Sequence, residues 1–333
     1  LWEKSYGSPA NDALRSSALS PDGKTLYLAG AVVGNETSFS NCPAFLGFNT
    51  NGQQNIVLLA IDATNGNCLW GKTWTGGNHL SGSISVVTGS DGTPFISGHL
   101  VSGTISNNQG FTFPPVPTVQ MPKYGATSFV LKVHPQTGDL LAAKGYANVF
   151  AVGMAADHST GTIAIAGGMG DSLMFQGTTM SGATNVADGA DIAILAFDEN
   201  LNEKWASIAG GPNNQFCPSI ESDGAGRFYA GCVTQDRIDR GATINCSTDR
   251  LCSVLIPYAS ATGTISASGI KTFGETQPFL NMGKTFVAAA TPSALAVGGT
   301  WTVGVRFWDD VLLDVTGSSG DYDIGIGKVE PIP

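Results

Sequence analysis

Two stretches of this chain bring together residue types that could bind a ligand. Residues 303–323, VGVRFWDDVLLDVTGSSGDYD, place Phe307 and Trp308 directly before Asp309 and Asp310, with Asp314, Asp321 and Asp323 behind them. Aromatic rings beside carboxylates suit stacking on a sugar ring with hydrogen bonds to its hydroxyls, and clustered aspartates offer oxygen ligands to calcium. The spacing of Asp309, Asp310 and Asp314 matches no calcium-loop template. The more economical alternative has Phe307 and Trp308 anchoring the loop beneath solvated carboxylates. Residues 106–126, SNNQGFTFPPVPTVQMPKYGA, set Phe111, Phe113 and Tyr124 among four prolines. Such a loop can present a rigid partner surface or fold over a sheet edge.

Amides form a third pattern. Asn11, Asn78, Asn148, Asn213 and Gln215 recur where short strands should begin, and His79 follows Asn78. A ring of amides suits hydroxyls or ordered water, although turn chemistry also accounts for asparagine there. Other catalytic signals fail. The MGKT at 282–285 has Pro278 where a phosphate loop needs glycine, no G-x-S-x-G is present, and His79, His99, His134 and His158 are dispersed. Glycoside hydrolysis needs two carboxyls within about 5–10 Å. The acids on prospective inner strands are Asp12, Asp157 and Glu221, and Asp12 and Glu221 should point to opposite faces. That placement argues against a pair.

The elements that would position these groups are strands. Charged residues make up 13% of the 333 and glycines number 44, and the commonest polar residues are Ser, Thr and Asn, a mix for strands and tight turns. A net charge of −10 with no Lys/Arg cluster leaves nothing to grip phosphate backbones or anionic lipid. Nucleic-acid binding and membrane insertion are therefore not expected. The chain begins at Leu1 without an initiator Met, which reads as a mature or excised segment, and the closing VEPIP reads as an exit into a linker.

Six cysteines with no C-x-x-C pair favour disulfides. Cys217 and Cys232 flank the turn at Asp223 and Gly224 symmetrically, which predicts a cross-strand bridge. Cys246 and Cys252 would staple a loop, and Cys42 and Cys68 pair by elimination. The sequons Asn35-Glu36-Thr37 and Asn245-Cys246-Ser247 offer glycosylation at Asn35 and Asn245. Together these features predict a secreted or cell-surface protein.

A repeat orders all of this. ALRSSALSPDGKTLYLAG, SISVVTGSDGTPFISG, AVGMAADHSTGTIAIAG, PSIESDGAGRFYAG and KTFVAAATPSALAVGG each read as strand, turn, strand, glycine, with Gly30, Gly98, Gly167, Gly231 and Gly298 spaced 68, 69, 64 and 67 residues apart. A long loop, an apolar strand and a fourth strand follow each glycine, except that the fifth copy lacks the fourth strand. LWEKSYG at 1–7 has the character of that missing strand. The pattern predicts an all-β, five-bladed β-propeller of four-stranded antiparallel blades in one domain, with blades near 13–74, 81–147, 151–209, 215–273 and 281–333 plus 1–7. Its long loops, 34–54, 103–126, 170–189, 234–251 and 303–320, would share one face.

Residues 191–231, DIAILAFDENLNEKWASIAGGPNNQFCPSIESDGAGRFYAG, resemble the unit of the extracellular β-propeller repeat (SBBP-like) family, and the resemblance extends over essentially the whole chain. It implies the propeller fold, a cell-surface or secreted setting and a binding, adhesive or structural role, with no functional residue to carry over. The function expected is an extracellular module taking carbohydrate or a neighbouring protein on the long-loop face, with self-assembly open and no cofactor beyond calcium. A glycoside hydrolase-like enzyme on the same face is the alternative.

Overall fold

Runs such as IVLLAI (56–61) and IAILAF (192–197) are apolar at consecutive positions, as strands covered on both faces are. The computed structural model describes residues 1–7, 12–33, 42, 54–75, 78–79, 83–102, 106–107, 127–182, 190–211, 215–235, 237–240, 242–245, 251–266, 269–275, 285–291, 294–301, 305–307, 311–313 and 323–329. Its strands fall into successive antiparallel meanders, so the chain is all-β.

The first meander is β1 (Asp12–Leu19), β2 (Thr25–Val33), β3 (Gln54–Asp62) and β4 (Cys68–Thr75). The second is β5 (Ser85–Thr88), β6 (Pro94–Ser102), β7 (Thr127–Val133) and β8 (Leu140–Ala147). The third is β9 (Val149–Asp157), β10 (Thr162–Met169), β11 (Asp191–Asp198) and β12 (Glu203–Ala209). The fourth is β13 (Gln215–Ser222), β14 (Arg227–Gln235), β15 (Leu251–Ala259) and β16 (Lys271–Glu275). Of the fifth, the described strands are β17 (Thr285–Thr291), β18 (Ala294–Trp301) and β19 (Asp323–Val329). The chain divides into two compact units, 1–154 with 199–202, and 155–198 with 203–333.

In the first unit the two-residue period sorts side chains between faces. Tyr27, Ala29, Ile56 and Leu58 pack on Val86, Ile96 and Leu131 of the second meander, while Val32, Val57, Leu59 and Ile61 form a second cluster with Trp2 and Tyr6. Inner strands are tied through serine: Ser16 Oγ accepts from Val86 N at 3.1 Å, and Ser85 Oγ donates to the Val152 carbonyl at 3.1 Å. In the second unit Ala164, Ile192 and Ile194 of the third meander meet Ile220, Phe228 and Ile256 of the fourth.

One device recurs three times among the described residues, where a tryptophan meets the turn of a neighbouring meander. Trp70 Nε1 donates to the Pro135 carbonyl, Trp205 Nε1 to that of Ser260 and Trp2 Nε1 to that of Ala63, each at 2.8 Å. Each acceptor lies in the turn before the next fourth strand, and each turn holds a glycine at positive φ, Gly138, Gly263 or Gly66, under the indole. The sequence predicts residues 1–7 as a fourth strand of the fifth meander; they lie outside the described strands, yet Trp2 grips the first meander as the outer-strand tryptophans grip theirs.

The long loops also cover sheet edges, a common protection against unwanted strand pairing. Ser106–Asn107 pairs with Thr75 and Trp74 of β4, and Val305–Phe307 pairs with Glu275 and Gly274 of β16. Each is a short strand from one meander's loop laid on the outer strand of the meander before. Among the described residues no helix is long and apolar enough to cross a membrane.

Candidate functional site

Each meander has a short-turn end and a long-loop end, and their polar groups are treated differently. At the short-turn end the carboxylates are spent on their own turns. Asp22 accepts from Ser20 Oγ and Lys24 N, Asp62 from Thr64 N and Oγ1 and Asn65 Nδ2, and Asp223 from Ala225 and Arg227 N. Hydrogen bonds to the charged form, from Thr64 foremost, hold the Asp62 carboxyl below the usual carboxylate range.

Asp157, one of the three acids considered for catalysis, is spent in the same way. Its Oδ2 accepts from Ser260 Oγ and Thr160 Oγ1, and its Oδ1 from Ser159 N and Oγ. Burial pushes its carboxyl up, but these hydrogen bonds outweigh burial and hold it low. Lys204 Nζ extends the network through Thr162 Oγ1 at 2.7 Å. The arrangement ties a turn of the third meander to a turn of the fourth, and Ser90, whose N and Oγ both donate to Glu199, makes a similar tie in the first unit.

At the long-loop end some buried polar atoms lack a protein partner, whereas Ser128 Oγ there donates to the Val149 carbonyl and accepts from Ala151 N. Gln215, at the start of β13, is fully buried; its Oε1 accepts from Gly211 N at 3.1 Å while its Nε2 has no partner. Thr234, fully buried on β14, is the residue paired across from Gln215, and its Oγ1 is likewise without a partner. In the first unit Asn55, 1% exposed at the start of β3, has neither amide atom satisfied. Buried polar groups are nearly always paired with protein or water. Within each unit, such donors and acceptors toward the long-loop end of their strands can serve hydroxyl-bearing ligands or ordered water. Close by, Gln215 N donates to the Ala190 carbonyl at 2.7 Å, and the buried Asp191 carboxylate sits against Gly182 and Gly210.

Two of the acids considered for catalysis remain. Asp12 opens β1 and is exposed. Glu221, near the end of β13 opposite Tyr229, has its carboxyl pushed up to about 7 by burial. Among the described residues no group of three His, Cys, Asp or Glu is placed to hold a metal. His99 is buried with Nδ1 3.1 Å from the Ala151 carbonyl, and burial lowers its pKa. His134 Nδ1 accepts from Gln136 and Thr137 N, a turn role.

Of the residues singled out in the sequence, Phe307 pairs with Val311, Asn78 with Ser102 and His79 with Leu100 through the backbone. Trp308, Asp309, Asp310, Asp314, Tyr124, Asn35, Asn11 and Asn213 lie outside the described residues. Asn148 takes the left-handed conformation, with φ 66°, just before β9. Asn55 and Thr234 were not anticipated; the available signal was a lone polar side chain inside an otherwise apolar strand run.

Disulfides join Cys217 to Cys232 and Cys42 to Cys68. The first crosses β13 and β14 where the register shifts between Phe216 and Ser219. The second fastens loop residue Cys42 to the start of β4. Cys252 sits on β15 opposite Thr234, Asn245 pairs with Arg237, and Cys246 lies outside the described residues.

No family model and no curated protein matches this chain. Among solved structures it is similar to the quinohemoprotein alcohol dehydrogenase of Comamonas testosteroni at 12% identity and TM-score 0.38, covering 85% of this chain and 43% of that one. The periplasmic gluconolactonase PpgL of Pseudomonas aeruginosa matches at 12% identity and TM-score 0.36, covering 89% of this chain and 81% of that one. The Dos1 propeller matches at 8% identity and TM-score 0.30, covering 88% and 90%. The chain thus spans less than half the length of the first of these.

Proposed function

We propose that this chain is a five-bladed β-propeller, closed by residues 1–7 beside β19, that works outside the cell as a binding or structural module. It takes a carbohydrate or a neighbouring protein on the long-loop face. The five-fold repeat, the serine ties between inner strands and the recurring tryptophan locks support the ring. Two disulfides and paired sequons support the extracellular setting.

The observation that carries the binding reading is the set of buried polar atoms without a partner toward the long loops, Gln215 Nε2 and Thr234 Oγ1 in one unit and the Asn55 amide in the other. Phe307, Trp308, Asp309, Asp310, Asn78, His79 and Tyr124 would add stacking and hydroxyl contacts, and calcium would be held by Asp309, Asp310 and Asp314. The test is binding of the non-reduced protein to a glycan panel, with calcium and with chelator, beside Trp308→Ala. Saturable binding lost in the variant is expected; silence across the panel with the fold intact would turn the reading to a protein partner.

A further inference from the structure

The segment 1–7 and the turn beneath it form a lock and a socket. Trp2 Nε1 donates to Ala63 O at 2.8 Å, Tyr6 Oη donates to Gly66 O, and a Cβ at Gly66 would lie 2.9 Å from Lys4 Cγ as well as against the indole. The next socket is read the same way: a Cβ at Gly138 would lie 2.7 Å from Trp70 and 2.6 Å from Lys72 Cγ. Trp2-Glu3-Lys4-Ser5-Tyr6 and Trp70-Gly71-Lys72-Thr73-Trp74 share one pattern, Trp-x-Lys-x-aromatic.

The three locks differ in how firmly the strand is built in. Trp70 is 5% exposed and Trp205 8%, and both sit on strands of a sheet. Trp2 is only partly buried, and residues 1–7 lie outside the described strands. Beside the segment a cavity of about 340 Å³ opens between Tyr6, Leu14, Leu28, Val57 and Leu59. The segment joins β1 through Ser8-Pro9-Ala10-Asn11, a short connection with a proline. An element that grips by side chains into a preformed socket, on a short connection, makes the same contacts in either chain when exchanged between copies.

We propose that the Gly66 socket is a strand-acceptor site whose second occupant is the segment 1–7 of another copy of this chain. The exchange uses Trp2, Lys4 and Tyr6 of one copy and Ala63, Gly66 and the apolar face of β2 and β3 of the other. It rests on the Trp2 lock and is independent of any ligand on the long-loop face.

The test mixes affinity-tagged and untagged full-length chains at high concentration and measures co-capture, with and without an excess of the synthetic peptide LWEKSYGS. Co-capture that falls at least tenfold with the peptide, and does not fall with the same peptide carrying Trp2→Ala, is the expected result. Absence of co-capture overturns the proposal, whether or not the peptide binds. Co-capture that persists unchanged under competition, or when both copies carry Trp2→Ala, overturns it as well.

Discussion

The indole of Trp205 lies on Gly263: a Cβ built at that glycine would come 2.5 Å from two of its ring carbons, and Gly263 itself sits at φ +70°. The ring also stacks on Tyr258 at 5.9 Å and 12°, and its Nε1 donates to Ser260 O. Gly263→Ala therefore meets both a strained backbone and an immovable ring, and should cost about 2–4 kcal/mol. Gly177 has nearly the same φ, +70°, with nothing within 4 Å, so Gly177→Ala isolates the backbone cost at about 1 kcal/mol. Denaturant midpoints of the two variants should separate accordingly, and equal losses would remove the tryptophan from the account.

Cys217 and Cys232 are both fully buried and stand 15 residues apart. Closing a loop of that size stabilises by about 3 kcal/mol through the unfolded chain. A reductant should leave this bridge intact in the native protein and open it only with denaturant. Mass-spectrometric thiol labelling under the two conditions checks this, and rapid labelling of the native state would contradict the burial.

Much of this organisation was legible because it repeats. Two marker glycines illustrate why: a Cβ at Gly98 would lie 2.8 Å from the Phe129 ring on the paired strand and one at Gly30 2.1 Å from the Ala13 carbonyl oxygen, so close packing demands glycine at both. Consecutive apolar runs located the central strands, and the symmetric spacing of Cys217 and Cys232 located their bridge. The tryptophan lock escaped, because Trp2 and Gly66 are partners across a seam and neither looks unusual alone. The unpartnered Asn55 escaped for a different reason: burial of one amide in an apolar run depends on what covers it, which periodicity does not encode.

Thr234 and valine have nearly the same shape, so Thr234→Val removes a buried hydroxyl that lacks a partner without opening a cavity. An unsatisfied hydroxyl costs about 1–3 kcal/mol, and its removal is neutral or stabilising. The variant should unfold at or above the native midpoint while glycan or partner binding on the long-loop face weakens. A clear loss of stability would mean that Thr234 is satisfied in solution, and unchanged binding would separate this group from the site.

Glu221 gives the fold a pH dependence of definite sign. Burial raises its folded carboxyl to about 7 from an ordinary 4.5, so between those values the native state holds a proton that the unfolded chain has released. Stability from this group is full below the ordinary carboxylate range and is lost as pH rises towards 7. Glu221→Gln keeps the shape and removes the buried charge. It should flatten the stability profile between about pH 4.5 and 7, and unfold later than the native protein at pH 8 by roughly 1–3 kcal/mol. Asp62 and Asp157, whose carboxyls are held low, act in the opposite direction and only in more acid solution, so they leave this window untouched. Denaturant unfolding of both proteins at pH 5 and pH 8 decides the matter. A difference between them that does not grow with pH would show that the Glu221 carboxylate is solvated in the folded state.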